Sequence, residues 1–117
     1  MKNDYLYEIS VYQIKDIYNG RFGIPDIVGI FSEDNLELAQ SIVANSVTDL
    51  YEGCFEIAMI DKVPCNSLYP NAHIKERYIY RYFGNDTYKL LSVAKGLDQI
   101  VDVTEKLAKT LEKKEKL

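Results

Sequence analysis

Aromatic and β-branched residues alternate with charged residues between Lys75 and Asn85, the most strongly patterned stretch of the chain. Such alternation predicts a β-strand, because successive side chains of a strand point to opposite faces. One face would be rich in tyrosine and the other would carry arginine: Tyr78, Tyr80 and Tyr82 against Arg77, Ile79, Arg81 and Phe83. One face can therefore lie in the core while the other forms a binding surface.

Three earlier segments also have the patterns of strands. The first runs from Tyr5 to Tyr12, with its odd-numbered residues on the face expected to be buried. A second is expected from about Phe22 to Phe31, interrupted near Pro25, whose missing N–H suits an edge strand or a bulge. A third is expected from Phe55 to Met59 and slightly beyond.

Apolar residues at helical spacing predict a helix between the second and third strands. Ser32 would cap its N-terminus, and Gly53 would follow its last turn near Tyr51 and Glu52. The apolar positions that recur at this spacing are Leu36, Ala39, Val43, Val47 and Leu50.

Two interpretations are open for the residues after Gly84. Apolar positions with 3-4 spacing favour one helix over the whole region, bent near Gly96. The competing interpretation makes Thr87 to Val93 a fifth strand and begins the helix near Leu97. In both cases the residues from Asp98 to about Lys114 are expected to be helical. The positions that favour the single helix are Leu90, Val93, Leu97, Ile100, Thr104, Leu107 and Leu111.

These elements predict a single α+β domain over residues 1–117, with the element order ββαββα. It would be a small antiparallel sheet of about four strands, with one helix packed on the sheet and a long C-terminal helix. The helices would lie mainly on one face and leave the other face open. Ten tyrosines and the apolar seam of the last helix then predict a homo-oligomer, most simply a two-fold dimer. Alternatively, the tyrosines are ordinary sheet residues.

Composition and charge narrow the possible functions. A hydrophobic fraction of 47% with 27% charged residues is typical of a globular protein. No apolar run approaches the ~20 residues of a membrane span, and Met1 to Asp4 lacks the apolar start of a signal peptide, so we expect a cytoplasmic protein with no membrane partner. A net charge of −4 argues against binding of extended nucleic acid but allows a small anion held by a few arginines.

Residues suited to catalysis or metal binding are few. Cys54, Cys65 and His73 do not form the closely spaced set of ligands that a metal site needs. We therefore expect no metal site, no cofactor and no catalytic residue, and hence a protein that is not an enzyme. A hydrolase that uses Asp61 or Glu76 is the enzymatic alternative.

A candidate ligand site lies at the end of the patterned strand. Arg81 can pair with phosphate, Phe83 can stack on a planar base, and the amide of Asn85 can bond a ribose or a base edge. Further candidates are Arg77 on the same strand face and three residues of loops able to close over a ligand, namely Asn66, Tyr69 and Arg21. In the alternative interpretation, the two strand arginines pair with carboxylates such as Glu56 or Glu8, and Phe83 fills the core.

In layout the chain resembles a phage family, the small Thoeris anti-defence proteins that act as sponges for cyclic ADP-ribose-type signals. The resemblance extends over most of the chain, through Tyr7 to Tyr12, Gly20 to Pro25 and Arg77 to Asn85. It implies a non-enzymatic protein, acting in the host cell cytoplasm, that binds a cyclic nucleotide in pockets formed between subunits. An aromatic residue, an asparagine and basic residues would hold the ligand.

The resemblance implies roles for particular residues. Phe83, Asn85 and Arg81 would supply the aromatic, amide and basic groups, and Lys109 would add a basic group from the last helix. A protein-binding module is the alternative function. It would inhibit or scaffold a partner protein through the tyrosine-rich sheet.

Overall fold

The computed structural model of the protein describes residues 4–12, 26–45, 55–84 and 87–115. Within these residues five strands and two α-helices follow one another, with a short 3-10 turn before the first helix and another before the fourth strand. The elements are β1 (Tyr5–Tyr12), β2 (Asp26–Ser32), the turn Glu33–Asn35, α1 (Leu36–Asn45), β3 (Ile57–Pro64), the turn Pro70–His73, β4 (Glu76–Tyr82), β5 (Tyr88–Lys95) and α2 (Leu97–Glu115).

The five strands form one sheet in the order β2-β1-β3-β4-β5, and every neighbouring pair is antiparallel. Strands β2 and β5 are the two edges. The pairing register shifts once on each of these edge strands. One extra residue bulges out of each ladder, Val28 in β2 and Leu91 in β5.

The fifth strand corrects the expected count of four and the preference for a helix over residues 87 to 93. Phe83 and Thr87 join β4 to β5 through a backbone hydrogen bond of 3.0 Å, and Gly84 takes a φ of 89° in the turn. The bulge at Leu91 explains the wrong interpretation. It places Leu90 and Val93 three residues apart on one face, which is a spacing that a helix would also give.

The helices pack on opposite faces of the sheet, which corrects the expectation that one face stays open. Ala39 and Val43 of α1 pack against the face that carries Tyr7, Tyr78 and Tyr80. Helix α2 covers the other face, where Val103 and Leu107 pack on a second apolar cluster made by Tyr12, Ile57, Met59 and Ile79. Gly96, with a φ of 88°, separates β5 from α2 and allows the chain to reverse over the sheet.

Other expectations were confirmed within the described residues. Strand β1 has the expected bounds, and β4 carries its tyrosines and arginines on opposite faces as predicted. The start expected for β2, residues 22–25, and the end expected for α1, residues 46–53, lie outside the described residues.

Much of the tyrosine content belongs to the core of one chain. The buried tyrosines are Tyr7, Tyr12, Tyr78, Tyr80 and Tyr88. The high tyrosine content therefore gives no separate support for an oligomer, which stays a prediction. In the described part of the chain, no helix combines the length and the apolar character needed to cross a membrane.

Candidate functional site

A groove with a volume of about 390 Å³ lies where the end of β4 and the middle of β5 meet the middle of α2. Strand residues form one wall and a single stripe of the helix forms the other. The lining residues are Arg81, Phe83, Leu91 and Ser92 from the strand side and Val103, Lys106, Leu107 and Thr110 from the helix.

Two facing cations lie where β4 ends and β5 begins, and one of them, Arg81, lines the groove. Arg81 of β4 is directly opposite Lys89 of β5 in the antiparallel ladder, so both side chains leave the sheet on the α2 side. Like charges in this arrangement repel each other and destabilise the pair. No carboxylate among the described residues forms an ion pair with either side chain. The pair therefore creates a positive potential that an anion would relieve.

An exposed aromatic ring borders these cations. Phe83 is 54% exposed, and the Lys89 ammonium lies 5.6 Å from the centre of its ring. A core role for Phe83, the alternative proposed from the sequence, is wrong. Its backbone N–H is held by Thr87, so the ring stands at a fixed hairpin position with one face able to stack on a planar group.

Helix α2 adds a third cation and a hydroxyl. Lys106 pairs with Asp102 one turn earlier, at 3.0 Å, but both side chains are mostly exposed. Such an exposed pair is weak, since solvent screens it, and it leaves the ammonium able to turn into the groove. The Thr110 hydroxyl donates to the Lys106 carbonyl oxygen at 2.9 Å and can still accept a hydrogen bond from a ligand.

Arg77 lies on the same strand face as Arg81 but is fully engaged. Its guanidinium donates two hydrogen bonds to Asp61, of 2.7 and 2.9 Å, and a third to the Thr104 hydroxyl at 3.1 Å. Burial opposes the charge of Arg77, yet its contact with Asp61 outweighs this and raises its pKa above the ordinary value. Arg77 borders a second groove, of about 340 Å³, whose other lining residues are Ile74, Leu97, Ile100, Val101, Thr104 and Glu105.

A half-buried carboxylate lies beside this ion pair. Glu8 of β1 is directly opposite Asp61 of β3. Burial and the charge of Asp61 raise the pKa of Glu8 above its ordinary value. Burial also raises the pKa of the nearby Tyr12 hydroxyl. In this region a second carboxylate, Glu8, therefore lies opposite Asp61, whereas no carboxylate is among the described lining residues of the groove.

A charged cluster on the opposite face of the sheet is internally paired. The Lys62 ammonium lies 3.3 Å from Glu33 and 3.8 Å from Glu76, and 5.2 and 5.9 Å from the rings of Tyr5 and Tyr7. Because its one ammonium is surrounded by two carboxylates and two aromatic rings of the same chain, this cluster joins β1, β3 and β4 and offers no unpaired cation to an anionic ligand.

The structure places the candidate site residues in different regions. Arg81 and Phe83 line the groove, and Arg77 does not. Asn66 and Tyr69 lie in the connection before β4, whereas Phe83 follows its end, so some 20 Å of strand separates them. Lys109 is an exposed residue of α2 that is not among the described lining residues, and Arg21 and Asn85 lie outside the described residues.

Sequence reasoning missed Lys89 and Lys106. Lys106 shares a helical stripe with Val103, Leu107 and Thr110, at the spacing i, i+3, i+4 and i+7, whereas Lys109 falls off this stripe. This spacing is visible in the sequence, so it was a signal that could have identified Lys106. Lys89 could be placed opposite Arg81 only after residues 88 to 95 were known to form a strand.

The described residues contain no group of three or more His, Cys, Asp or Glu side chains placed to hold a metal ion. Comparison of the chain with protein-family models, with curated proteins and with solved structures gave no significant match.

Proposed function

We propose that this protein binds a small nucleotide-type ligand and holds it without converting it, as a sequestering protein that works as a homo-oligomer. The ligand class is an anionic cyclic nucleotide of the cyclic ADP-ribose type, which is the class implied by the resemblance to the anti-defence sponges.

One observation carries the proposal. Arg81 and Lys89 face each other across the β4–β5 ladder, with no carboxylate partner among the described residues, beside the exposed ring of Phe83. A solvent-exposed pair of like charges costs stability, and an exposed aromatic residue contributes little to folding. A ligand with a phosphate and a planar base would use all three side chains.

The geometry supports a particular arrangement of such a ligand. Its phosphate would lie between Arg81 and Lys89, with Lys106 approaching from α2. Its base would stack on Phe83, and Leu91 and Leu107 would contact its apolar parts. The groove volume is near the lower end of the ~300–1,000 Å³ of typical small-molecule sites, which suits a compact ligand.

The lining also favours binding over turnover. Its described side chains are cationic, hydroxyl-bearing or apolar, and carboxylate, imidazole and thiol groups are missing from this described set. General acid–base catalysis near neutral pH commonly uses one of these groups. The described lining can instead neutralise the charge of a ligand and stack on its base.

Native mass spectrometry of the purified protein, with a panel of cyclic nucleotides that includes cyclic isomers of ADP-ribose, tests the proposal. We expect the protein to retain one of these compounds at its unmodified mass. Phe83→Ala should lose binding while it keeps the wild-type far-UV circular dichroism spectrum. Turnover of the bound compound would contradict the sequestering function.

Tyr69→Ala is the matched control, because Tyr69 is also an exposed aromatic residue, 81% accessible, but lies before β4. It should bind the ligand like the wild type. Equal binding by the Phe83 variant and the wild type would show that the site lies elsewhere. Loss of binding in both variants would indicate a ligand that spans the strand.

A further inference from the structure

The two edges of the sheet differ in how they are protected from pairing with another strand. On β5, Lys89 and Lys95 are exposed, and charged edge residues of this kind discourage strand addition. The only charged residue of β2 is Asp26, at its first position, and three of its apolar residues are exposed. These residues are Ile27, Val28 and Ile30, each about half accessible.

Strand β2 also has backbone groups available for pairing. Its hydrogen-bonded neighbour in the described sheet is β1, on one side. The backbone groups directed to the other side are not paired with any described strand. A seven-residue strand presents several such donors and acceptors, which a further strand could bond.

We propose that β2 is a self-association edge, at which two copies of this chain pair their β2 strands antiparallel about a two-fold axis. An axis near Gly29, the middle residue of β2, brings the Asp26 residues of the two copies to opposite ends of the paired strands, so no like charges meet. The exposed apolar residues of the two strands then cover one another. The two five-stranded sheets become one continuous sheet of ten strands.

This arrangement has a consequence for the ligand groove. Because β2 and β5 are opposite edges, the dimer places its two grooves at the outer ends of the continuous sheet. The described lining of each groove comes from one chain. Dimer formation and ligand binding are therefore separable, and the dimer proposal does not depend on the identity of any ligand.

Sedimentation velocity over a range of protein concentrations tests this proposal. The wild-type chain should sediment as a dimer at micromolar concentration. Ile30→Lys should weaken the dimer at least tenfold, since it places a charge in the centre of the paired edge. Leu90→Lys is the matched control on β5, because Leu90 is 47% exposed and Ile30 is 59% exposed. The control variant should dimerise like the wild type.

Three results would overturn the proposal: a wild-type chain that is monomeric at high micromolar concentration, an Ile30→Lys variant that dimerises normally, or a dimer lost in Leu90→Lys alone. Circular dichroism of each variant checks that it is folded. Hydrogen exchange locates the interface independently, since amides of β2 should gain protection as the protein concentration rises. Unchanged exchange in β2 alongside a stable dimer would also contradict the proposal.

The same variants separate this proposal from the ligand proposal. A monomeric Ile30→Lys protein should still retain the nucleotide that the wild type binds. Failure of all proteins to bind any nucleotide would count against the proposed function alone, and a monomeric wild type that binds nucleotide would count against the self-association edge alone.

Discussion

Arg77 and Arg81 lie four residues apart on the same face of β4, yet their surroundings are opposite in charge. Arg77 donates to Asp61 and Thr104 and is largely buried, with 12% of its side chain accessible. Arg81 lines an open groove and faces Lys89. One guanidinium thus belongs to the architecture of the protein, and the other has no carboxylate partner among the described residues.

The difference shows that the neighbouring strand, and not the strand itself, decides what a residue does. The strand next to Arg77 on one side is β3, which supplies the carboxylate of Asp61, and α2 adds a hydroxyl. The strand next to Arg81 is β5, which supplies an ammonium at the position where a salt bridge would require an acid.

The largest effect is expected from Arg77→Met. It would leave the Asp61 carboxylate, whose side chain is only 7% accessible, buried without its cation. Breaking such a buried pair costs about 3–5 kcal/mol of unfolding free energy. Urea denaturation would measure this loss. Adding Asp61→Asn should restore part of the lost stability. An Arg77→Met variant as stable as the wild type would show that the ion pair is not structural.

A smaller effect, on binding and not on stability, is expected from Arg81→Ala. Loss of a charge-assisted hydrogen bond to an anion should weaken ligand affinity by about 1.5–3 kcal/mol, or roughly 10- to 150-fold. The unfolding free energy should change by less than about 0.5 kcal/mol, because the site is solvated and the repulsion by Lys89 is relieved. Calorimetric titration and urea denaturation measure the two quantities. A large loss of stability would contradict the assigned difference between the arginines.

Lys89→Glu should move stability and binding in opposite directions. It replaces a repulsive cross-strand pair with an attractive one, worth about 0.2–1 kcal/mol in favour of the folded protein. The same change neutralises Arg81 and adds a negative charge, so the affinity for an anionic ligand should fall. Lys95→Glu, at the other end of β5, is the control for the change in net charge. Equal effects of the two substitutions on binding would indicate a long-range charge effect only.

The smallest effect is expected from Glu8→Gln, and it depends on pH. The raised pKa of Glu8 means that the folded protein holds a proton at a pH at which the unfolded chain has released it. This group therefore makes stability fall as the pH rises from its ordinary pKa of 4.5 through the raised value. In the variant this decline of stability with pH should be absent. Its free energy of unfolding near neutral pH should exceed that of the wild type by less than about 1 kcal/mol. Melting temperatures of the wild type and the variant between pH 4 and 8 would measure this difference. Parallel pH profiles of the two proteins would contradict the prediction.

Local patterns predicted the strands with regular alternation and failed where the alternation is interrupted. Strand β1 and the two faces of β4 followed directly from residues that alternate without a break. In β5 the bulge at Leu91 shifts the alternation by one residue, so the apolar spacing matched a helix. Missing that strand also removed one edge of the sheet and part of the surface on which α2 lies.

The candidate site was predictable only as far as one strand. Arg81 and Phe83 could be paired because both lie on β4, on one face. Lys89 and Lys106 could not be assigned to the site in the same way, since their positions depend on strand pairing and on the packing of α2. For the same reason the sequence could not distinguish Arg77 from Arg81, as the partner Asp61 comes from another strand.

The order of elements along the chain has a kinetic consequence. Strand β4, strand β5 and α2 follow one another through short turns, so the groove forms from contacts between residues close in sequence. By contrast, Tyr12 of β1 pairs with Ile57 of β3, so these strands meet only after the long segment of chain between them has been closed into a loop. We expect the β4–β5 hairpin to form early and β1 to join late. Substitutions in the hairpin should then slow folding, and those between β1 and β3 should mainly speed unfolding.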